Sequence, residues 1–401
     1  MKKTRNFNKI YLDGKKVVMK KRIAFCVPTM IIGGVETVLV NTVEKLLECD
    51  DLDLCLVFHT DVIEPKYKDW LKSHPEIPVY VYYPLGNWFE KQKKRFKKFP
   101  CKLLCRLCYG IYKNYRRFIM RFWGGLNNVD VFVDYKMFEF AKELRWFKAR
   151  KIVWVHINVK YLLENNRAKK IKQYSTVVGL TDAFVDEFKS VFPEYADRVV
   201  RIYNPIDVDR ILDLSKENVP TVDADYFVTV SRLDGYQKDV KTLIDAFDLF
   251  YEKNDMPDVK LVIIGGGVQE NYLKNYAENL KSGKNIVFTG ALNNPFVYMK
   301  NAICNILSSN FEGLPTVLIE AQSLGVLNVA ADCEYGPKEI FLGGKAGVLF
   351  KIADVQQLAN IMTDVYNKKL PVSEMVLNAT NALGRFETNT IKQQICEVLN
   401  G

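Results

Sequence analysis

A chain of 401 residues, 48% hydrophobic and 26% charged, is too long for one ordinary core and too apolar for disorder, so two folded domains are expected. No apolar run reaches the length of a spanning helix, and nine cysteines in so long a chain are too sparse for a disulfide scaffold, which points to a reducing cytoplasm. The net charge of +10 is concentrated: residues 1–22 carry nine Lys/Arg against one Asp, residues 91–122 carry twelve and no acid, and the remainder sums to −10. An anionic partner is therefore met through those two segments.

The basic arm, 1–22, lacks the apolar core and small-residue cleavage site of a secretory signal. A buried strand follows over 22–28, then the glycine turn Gly33-Gly34 and a helix over 35–47. Further short apolar strands are expected at 54–58, 79–83, 129–133, 152–155 and 176–178. The Asn204-Pro205 turn signal places a domain boundary near 205. Alternation restarts with strands at 227–230, 260–264, 285–289, 303–307 and 326–330. Helices lie between them at 240–251, 269–280 and 295–300, and another follows Pro315. An amphipathic segment at 391–399 ends the chain. Strand–helix alternation implies two doubly wound α/β halves, each a mostly parallel sheet with helices on both faces. Ligands bind at the carboxyl ends of such strands, here facing a cleft between the halves.

The segment 100–123 spaces Leu103, Leu107, Ile111, Tyr115, Phe118 and Phe122 as a helical stripe amid cations. It reads as a basic amphipathic helix, about 99–123, lying in an anionic membrane interface. The plainer alternative is a helix packed on its own domain with a solvated basic face. Phe, Trp, Leu and Ile in the stripe favour acyl chains over nucleic acid. Cys101, Cys105 and Cys108 have the spacing of an iron–sulfur ligand set, but three cysteines along a helix cannot wrap a cluster. Asp51/Asp53, Asp207/Asp209 and Asp223/Asp225 match a metal-binding Asp-x-Asp pattern too common to count, and no metal is expected.

Four stretches carry candidate chemistry. Glu312 sits in a Gly313-Leu314-Pro315-Thr316 turn, and Glu320 lies about two turns into the following helix. Free backbone N–H groups at a helix start hold phosphate, and carboxylates accept hydrogen bonds from sugar hydroxyls; an ordinary helix with Glu320 facing solvent is the competing reading. Arg232 and Lys238 follow a strand and can neutralise a diphosphate, the first as a planar fork and the second as a point charge. Gly265-Gly266-Gly267 also follows a strand, but Glu270 interrupts the dinucleotide fingerprint, so these glycines let backbones pass closely. Gly33-Gly34 permits a ligand near the backbone. His156 ends a strand facing the expected cleft, His59 ends another, and His74 sits among surface turn residues.

The residues Ser231-Arg232-Leu233…Gln237-Lys238-Asp239, Asn294-Pro295-Phe296…Lys300-Asn301-Ala302, Phe311-Glu312-Gly313-Leu314-Pro315-Thr316…Glu320-Ala321 and Gly336-Pro337-Lys338-Glu339-Ile340 resemble the retaining glycosyltransferases of family 4, glycosyl transferases group 1, of the bacterial surface-polysaccharide type. Gly33-Gly34-Val35-Glu36 and Asn204-Pro205-Ile206-Asp207 extend the likeness into the first half. The resemblance implies a GT-B architecture with an acceptor domain over 23–205 and a donor domain over 206–385. A helix over 386–401 returns to the first domain. It implies Arg232 and Lys238 on the donor diphosphate, Glu312 on the donor sugar, and the Gly313–Thr316 backbone near the phosphates. Glu320 falls on the ribose, Gly34 beside the phosphate, His156 beside the sugar, and Gly290 to Leu292 along the base. Residues 51–123 match no family motif, which leaves the acceptor open.

The expected function is transfer, with retention, of a hexose or N-acetylhexosamine from a nucleotide diphosphate sugar, a UDP-sugar, to a hydroxyl of a glycan or lipid-linked saccharide. No cofactor, metal or nucleic acid is expected. The expected location is cytoplasmic, attached peripherally to the inner face of the membrane through 91–122. Two rivals differ in class: a nucleotide-sugar epimerase of the same fold, which needs no acceptor, and a non-enzymatic membrane-binding protein, which needs no nucleotide sugar.

Overall fold

A computed structural model describes residues 10–12, 15–17, 20–31, 33–95, 100–122, 124–164, 167–218, 222–254 and 258–401. Most of the basic arm, Lys97, Lys98 and Trp123 lie outside the described residues. The chain forms two compact units. One comprises residues 1–179, 188–200 and 392–401, the other residues 180–187 and 201–391.

After a short hairpin, β1 (Ile10–Leu12) and β2 (Lys15–Val17), the first unit builds a seven-stranded sheet. Its strands are β3 (Lys21–Val27), β4 (Leu52–Phe58), β5 (Val79–Val81), β6 (Val131–Asp134), β7 (Arg150–Trp154), β8 (Thr176–Gly179) and β9 (Val199–Arg201). Their order is β5-β4-β3-β6-β7-β8-β9, and β3 pairs parallel with both β4 and β6. Ile23 to Val27 are all buried, as expected of a parallel strand covered on both faces. The chain's last residues belong to this unit: Lys392 Nζ meets Glu48 at 2.9 Å, and Cys396 Sγ lies 3.7 Å from Cys49 Sγ.

The second unit has six strands: β10 (Tyr226–Val230), β11 (Lys260–Ile264), β12 (Ile286–Gly290), β13 (Cys304–Leu307), β14 (Asn328–Ala331) and β15 (Val348–Phe350). The order is β12-β11-β10-β13-β14-β15, parallel throughout. Alternate residues serve opposite faces. Phe227, Leu261, Ile263 and Ile306 pack with the helices Val240–Asn254 and Val355–Tyr366. Tyr226, Val228, Val262 and Ile264 pack with Met299 and Ala321 on the other side. Asn204 to Asp207, read as a turn, is tied into this unit. Ile206 N–H donates to Phe386 O, and Asp207 caps the helix Val208–Leu214 by accepting from Arg210 N–H at 3.0 Å.

The basic segment is divided in the first unit: Lys91, Lys93, Lys94 and Arg95 end the helix Gly86–Arg95, and the rest of the described cations lie on a 22-residue helix, Cys101–Phe122. The long helix packs on its own unit, as in the plain alternative, but leaves its apolar stripe outward. Leu104, Leu107, Ile111, Tyr115, Phe118 and Phe122 are 50% to 71% exposed, whereas Cys105, Tyr109 and Met120 are buried. Two cations turn inward with the buried face. Arg116 donates to the carbonyls of Tyr82 and Val81 at 2.8 and 2.9 Å, and Arg117 grips Glu143. Cys105 is buried while Cys101 and Cys108 are exposed, so the three cysteines do not share one environment.

Candidate active site

In an open α/β sheet a ligand crevice opens where neighbouring strands send their connections to opposite faces. In the second unit that point lies between β10 and β13, since β10 pairs with β11 on one side and β13 on the other. The loop after β10 carries Arg232 and Lys238, and the loop after β13 carries Glu312. The two loops are stitched along their backbones: Asn310 N–H donates to Gln237 O at 2.8 Å, Asn310 Nδ2 to Tyr236 O at 2.6 Å, and Ser308 Oγ to Asp239 O at 2.9 Å.

This stitching brings Lys238 Nζ to 2.5 Å from Glu312 Oε1, and Ser309 Oγ donates to the same oxygen at 2.6 Å. Glu312 is only 6% exposed. A buried carboxylate held by a cation and a hydroxyl is fixed in orientation, and its other oxygen remains to accept from a ligand. Arg232 stays exposed and pairs with Asp234 at 3.0 Å, a contact worth little in water and easily exchanged for a phosphate.

The helix Thr316–Ser323 starts directly after Pro315, with no side chain capping it, so its first N–H groups are available to an anion. Gly336 sets the shape of that turn. It has φ +81°, and a Cβ there would fall 2.7 Å from Gly313 O and 2.4 Å from Pro315 Cδ. Leu314 is buried beneath it. Glu320 is half-exposed by surface area, yet burial of its carboxyl raises its pKa and a hydrogen bond to Thr316 works against that rise; it does not sit on an open solvent face. Gly290, φ +72° with open space where a Cβ would stand, ends β12, and half-buried Leu292 follows it.

The triple glycine serves the loop that carries Arg232. A Cβ on Gly265 would overlap Ser231 O at 1.8 Å, and one on Gly267 would meet Leu233 O at 2.3 Å. Ser231 N–H donates to Ile264 O and Leu233 N–H to Gly266 O. Glu339, from the Gly-Pro-Lys-Glu motif, is a tie within the unit: it accepts from Asp182 N–H at 2.9 Å and from Tyr203 Oη at 2.6 Å.

The first unit has its own crossover point, between β3 and β6. The helix Gly34–Leu47 begins there without a side-chain cap, and Glu36 inside it pairs with Lys136 after β6 at 2.9 Å. His156, two residues beyond β7, shares a hydrogen bond with Tyr135 O at 3.0 Å. A carbonyl can only accept, so Nε2 carries the proton. Burial pushes the His156 pKa down to about 4 while the bond to Tyr135 opposes this, so the ring is neutral with Nδ1 as an acceptor. Gly34 and His156 thus lie in one unit, and Arg232, Lys238, Glu312 and Glu320 in the other.

The first unit also holds a cavity of about 400 Å³. At its floor lies buried Glu143. Arg117 donates to Glu143 from Nη2 at 2.8 Å and from Nε at 3.0 Å, Tyr83 donates its hydroxyl, and His59 Nε2 stands 3.7 Å from the second oxygen. Burial alone raises the Glu143 pKa, but these three partners bring it down to about 2. Of this group only His59 is distinctive in the sequence. Glu143 and Arg117 come from distant elements, and no local spacing joins them.

Residues 212–382 match the family described as Glycosyl transferases group 1. An uncharacterized glycosyltransferase of Methanocaldococcus jannaschii is 26% identical over 299 residues, covering 68% of this chain and 69% of that protein. The GalNAc-alpha-(1->4)-GalNAc-alpha-(1->3)-diNAcBac-PP-undecaprenol alpha-1,4-N-acetyl-D-galactosaminyltransferase of Campylobacter jejuni is 25% identical over 399 residues, 94% of this chain and 99% of that one. The crystal structure of Anabaena Alr3699/HepE in complex with UDP superimposes with a TM-score of 0.71 at 20% identity, over 95% of this chain and 99% of that one; at that identity the likeness speaks for the fold. Two parallel-sheet Rossmann-like units and the group 1 match over the second define the class: a glycosyltransferase of GT-B fold. The group 1 match lies within the second unit, and the likeness of fold extends over both.

Proposed function

We propose that the protein transfers a hexose or N-acetylhexosamine, with retention, from a UDP-sugar to a hydroxyl of a lipid-linked saccharide at a membrane surface. The observation that carries this reading is the pairing of half-buried Lys238 with buried Glu312 at the β10/β13 crossover, 2.5 Å apart, beside an uncapped helix start. The names of relatives support the substrates: the Campylobacter enzyme acts on an undecaprenol-diphosphate glycan, and the Anabaena protein binds UDP.

Breaking the bond between the anomeric carbon and the diphosphate leaves negative charge on the leaving group, and stabilising it is the main task. Arg232, Lys238 and the N–H groups at Thr316 and Val317 supply that stabilisation in place of a metal ion. Glu312 accepts from donor-sugar hydroxyls and orients the ring, and Glu320 accepts from the ribose. With no carboxylate in the role of nucleophile, the acceptor oxygen bonds to the anomeric carbon on the face the diphosphate leaves, and its proton passes to a diphosphate oxygen. Gly34 and His156 belong to the donor-side contacts of the first unit. The His156 Nδ1 lone pair is suited to accepting from a hydroxyl.

Membrane attachment rests on the helix Cys101–Phe122, whose exposed apolar stripe runs among exposed cations such as Lys102 and Arg106. Among the described residues, no helix is long and apolar enough to cross a membrane. An amphipathic helix lying in the interface, at the cytoplasmic face where anionic lipids gather, is the mode that remains open to it.

Incubation with a panel of UDP- and GDP-sugars and a lipid-linked acceptor extract, with and without EDTA, tests the reading. Acceptor-dependent release of UDP, insensitive to EDTA, is expected. Conversion of a donor without acceptor contradicts it and favours an epimerase.

A further inference from the structure

The cavity of the first unit is cationic beyond what its acids can balance. Its two lining carboxylates are both engaged: Glu143 by Arg117 and Glu139 by Arg167 at 2.7 Å. Three lysines that line the same space have no ion-pair partner among the described residues. Lys113 lies over the Tyr109 ring, 4.2 Å from its centroid. Lys170 donates only to the Phe138 carbonyl, at 3.2 Å. Lys142 is exposed at the rim. Burial lowers the pKa of Lys113 and Lys170, so each holds a desolvated charge that an anion would relieve. His59 Nε2, which faces Glu143 at 3.7 Å, makes no hydrogen bond among the described residues.

The wall beside the lysines is aromatic and closely packed. Tyr109 is buried and stacked on Phe89 at 4.9 Å. Gly86 makes room for Thr60 in the same wall, because a Cβ there would stand 2.6 Å from Thr60 Cγ2. Three lysines without ion-pair partners around one cavity suit a phosphate group, which carries nearly two charges and three acceptor oxygens.

We propose that this cavity binds the phosphate or diphosphate of a phosphorylated saccharide acceptor, with Lys113, Lys142 and Lys170 around the phosphate. The proposal rests on the glycosyl-transfer reading above and adds to it the anionic class of the acceptor. The inward face of the basic helix reads the acceptor's charge, and the outward face is left for lipid. A lipid-linked diphosphate and a free sugar phosphate share this chemistry.

Calorimetric titration of the wild-type chain, with UDP first, separates the two levels. Failure to bind UDP overturns the donor reading itself. With UDP saturating, so that the donor phosphate site is filled, glucose 1-phosphate, inorganic pyrophosphate and neutral methyl glucoside are titrated in turn. Both phosphates are expected to bind more tightly than the neutral glucoside, and Lys113→Gln/Lys142→Gln/Lys170→Gln to lose roughly tenfold affinity per lysine. Lys142→Glu, at an exposed position that tolerates change, should alone weaken phosphate binding and flatten its salt dependence. Cosedimentation with phosphatidylcholine vesicles containing polyprenyl diphosphate, lost on addition of pyrophosphate, assigns the lipid-linked source. Cosedimentation unaffected by pyrophosphate, alongside tight glucose 1-phosphate binding, assigns the soluble one. Equal affinity for methyl glucoside and glucose 1-phosphate, or unchanged phosphate binding in both lysine variants, overturns the proposal.

Discussion

The two units solve the same problem, holding a buried carboxylate at the carboxyl end of a parallel sheet, in different ways. Glu312 has one cation and one hydroxyl on a single oxygen. Glu143 is gripped by a guanidinium and a phenol and faced by an imidazole. The first arrangement leaves acceptor capacity for a ligand. The second consumes it, so Glu143 orients its neighbours and the lysines around it are left to meet a ligand. A carboxylate's fitness for binding depends less on burial than on how many of its lone pairs are already taken.

Four changes would break or sharpen that contrast. The largest effect belongs to Lys238→Ala, which leaves Glu312 without its cation and, on the proposed role, takes a cation from the leaving diphosphate. Transfer should fall by about 10²–10³-fold, as read from UDP release, with the circular dichroism spectrum intact; a rate near wild type would mean the pair only holds two loops together. Next, Gly265→Ala forces a Cβ into Ser231 O at a φ of +145°. It should shift the Arg232 loop and cost roughly 1–3 kcal/mol, seen as a lower melting temperature together with a raised KM for donor.

Glu143→Gln probes the other carboxylate. Its pKa is depressed in the folded protein, so it contributes stability above its unfolded value near 4.5 and loses it as pH falls toward about 2. The full term is on the order of 3 kcal/mol. Wild type should therefore lose stability on acidification through that window more steeply than the variant, measured by urea unfolding at pH 3 and pH 7. Parallel curves would remove Glu143 from the account. The smallest effect is at the outer face of the basic helix: Lys102→Gln with Arg106→Gln should weaken flotation with phosphatidylserine vesicles by about 1 kcal/mol per charge. Neutralising the inward-facing Arg116 and Arg117 should instead lower the melting temperature.

The placement of the second unit's candidate residues was legible in the sequence because it is local. Arg232, Lys238 and Glu312 sit in loops directly after apolar strands, so strand periodicity alone places them at carboxyl ends. The triple glycine was read as a close backbone passage, and Gly265 and Gly267 are that, since a Cβ on either would run into Ser231 O or Leu233 O; Gly266 has ordinary contacts. The first unit resisted for the opposite reason. Glu143, Tyr83, His59, Arg117 and Lys170 come from separate elements, and only tertiary packing brings them together. The helix Cys101–Phe122 shows the limit of periodicity: the stripe was visible, but its direction depends on Arg116 reaching the carbonyls of Tyr82 and Val81. The three-residue edge strands Val199–Arg201 and Val348–Phe350 are too short to carry a period of their own.

The central claim is that Lys238 and Glu312 act as one unit on the donor, and a double-mutant cycle tests it most directly. Transfer rates are measured for Lys238→Ala, Glu312→Ala and the double variant, each checked for folding. If the pair acts as a unit, either single change abolishes most of the activity and the double variant is hardly worse than either one. Full activity in either single variant would contradict the account.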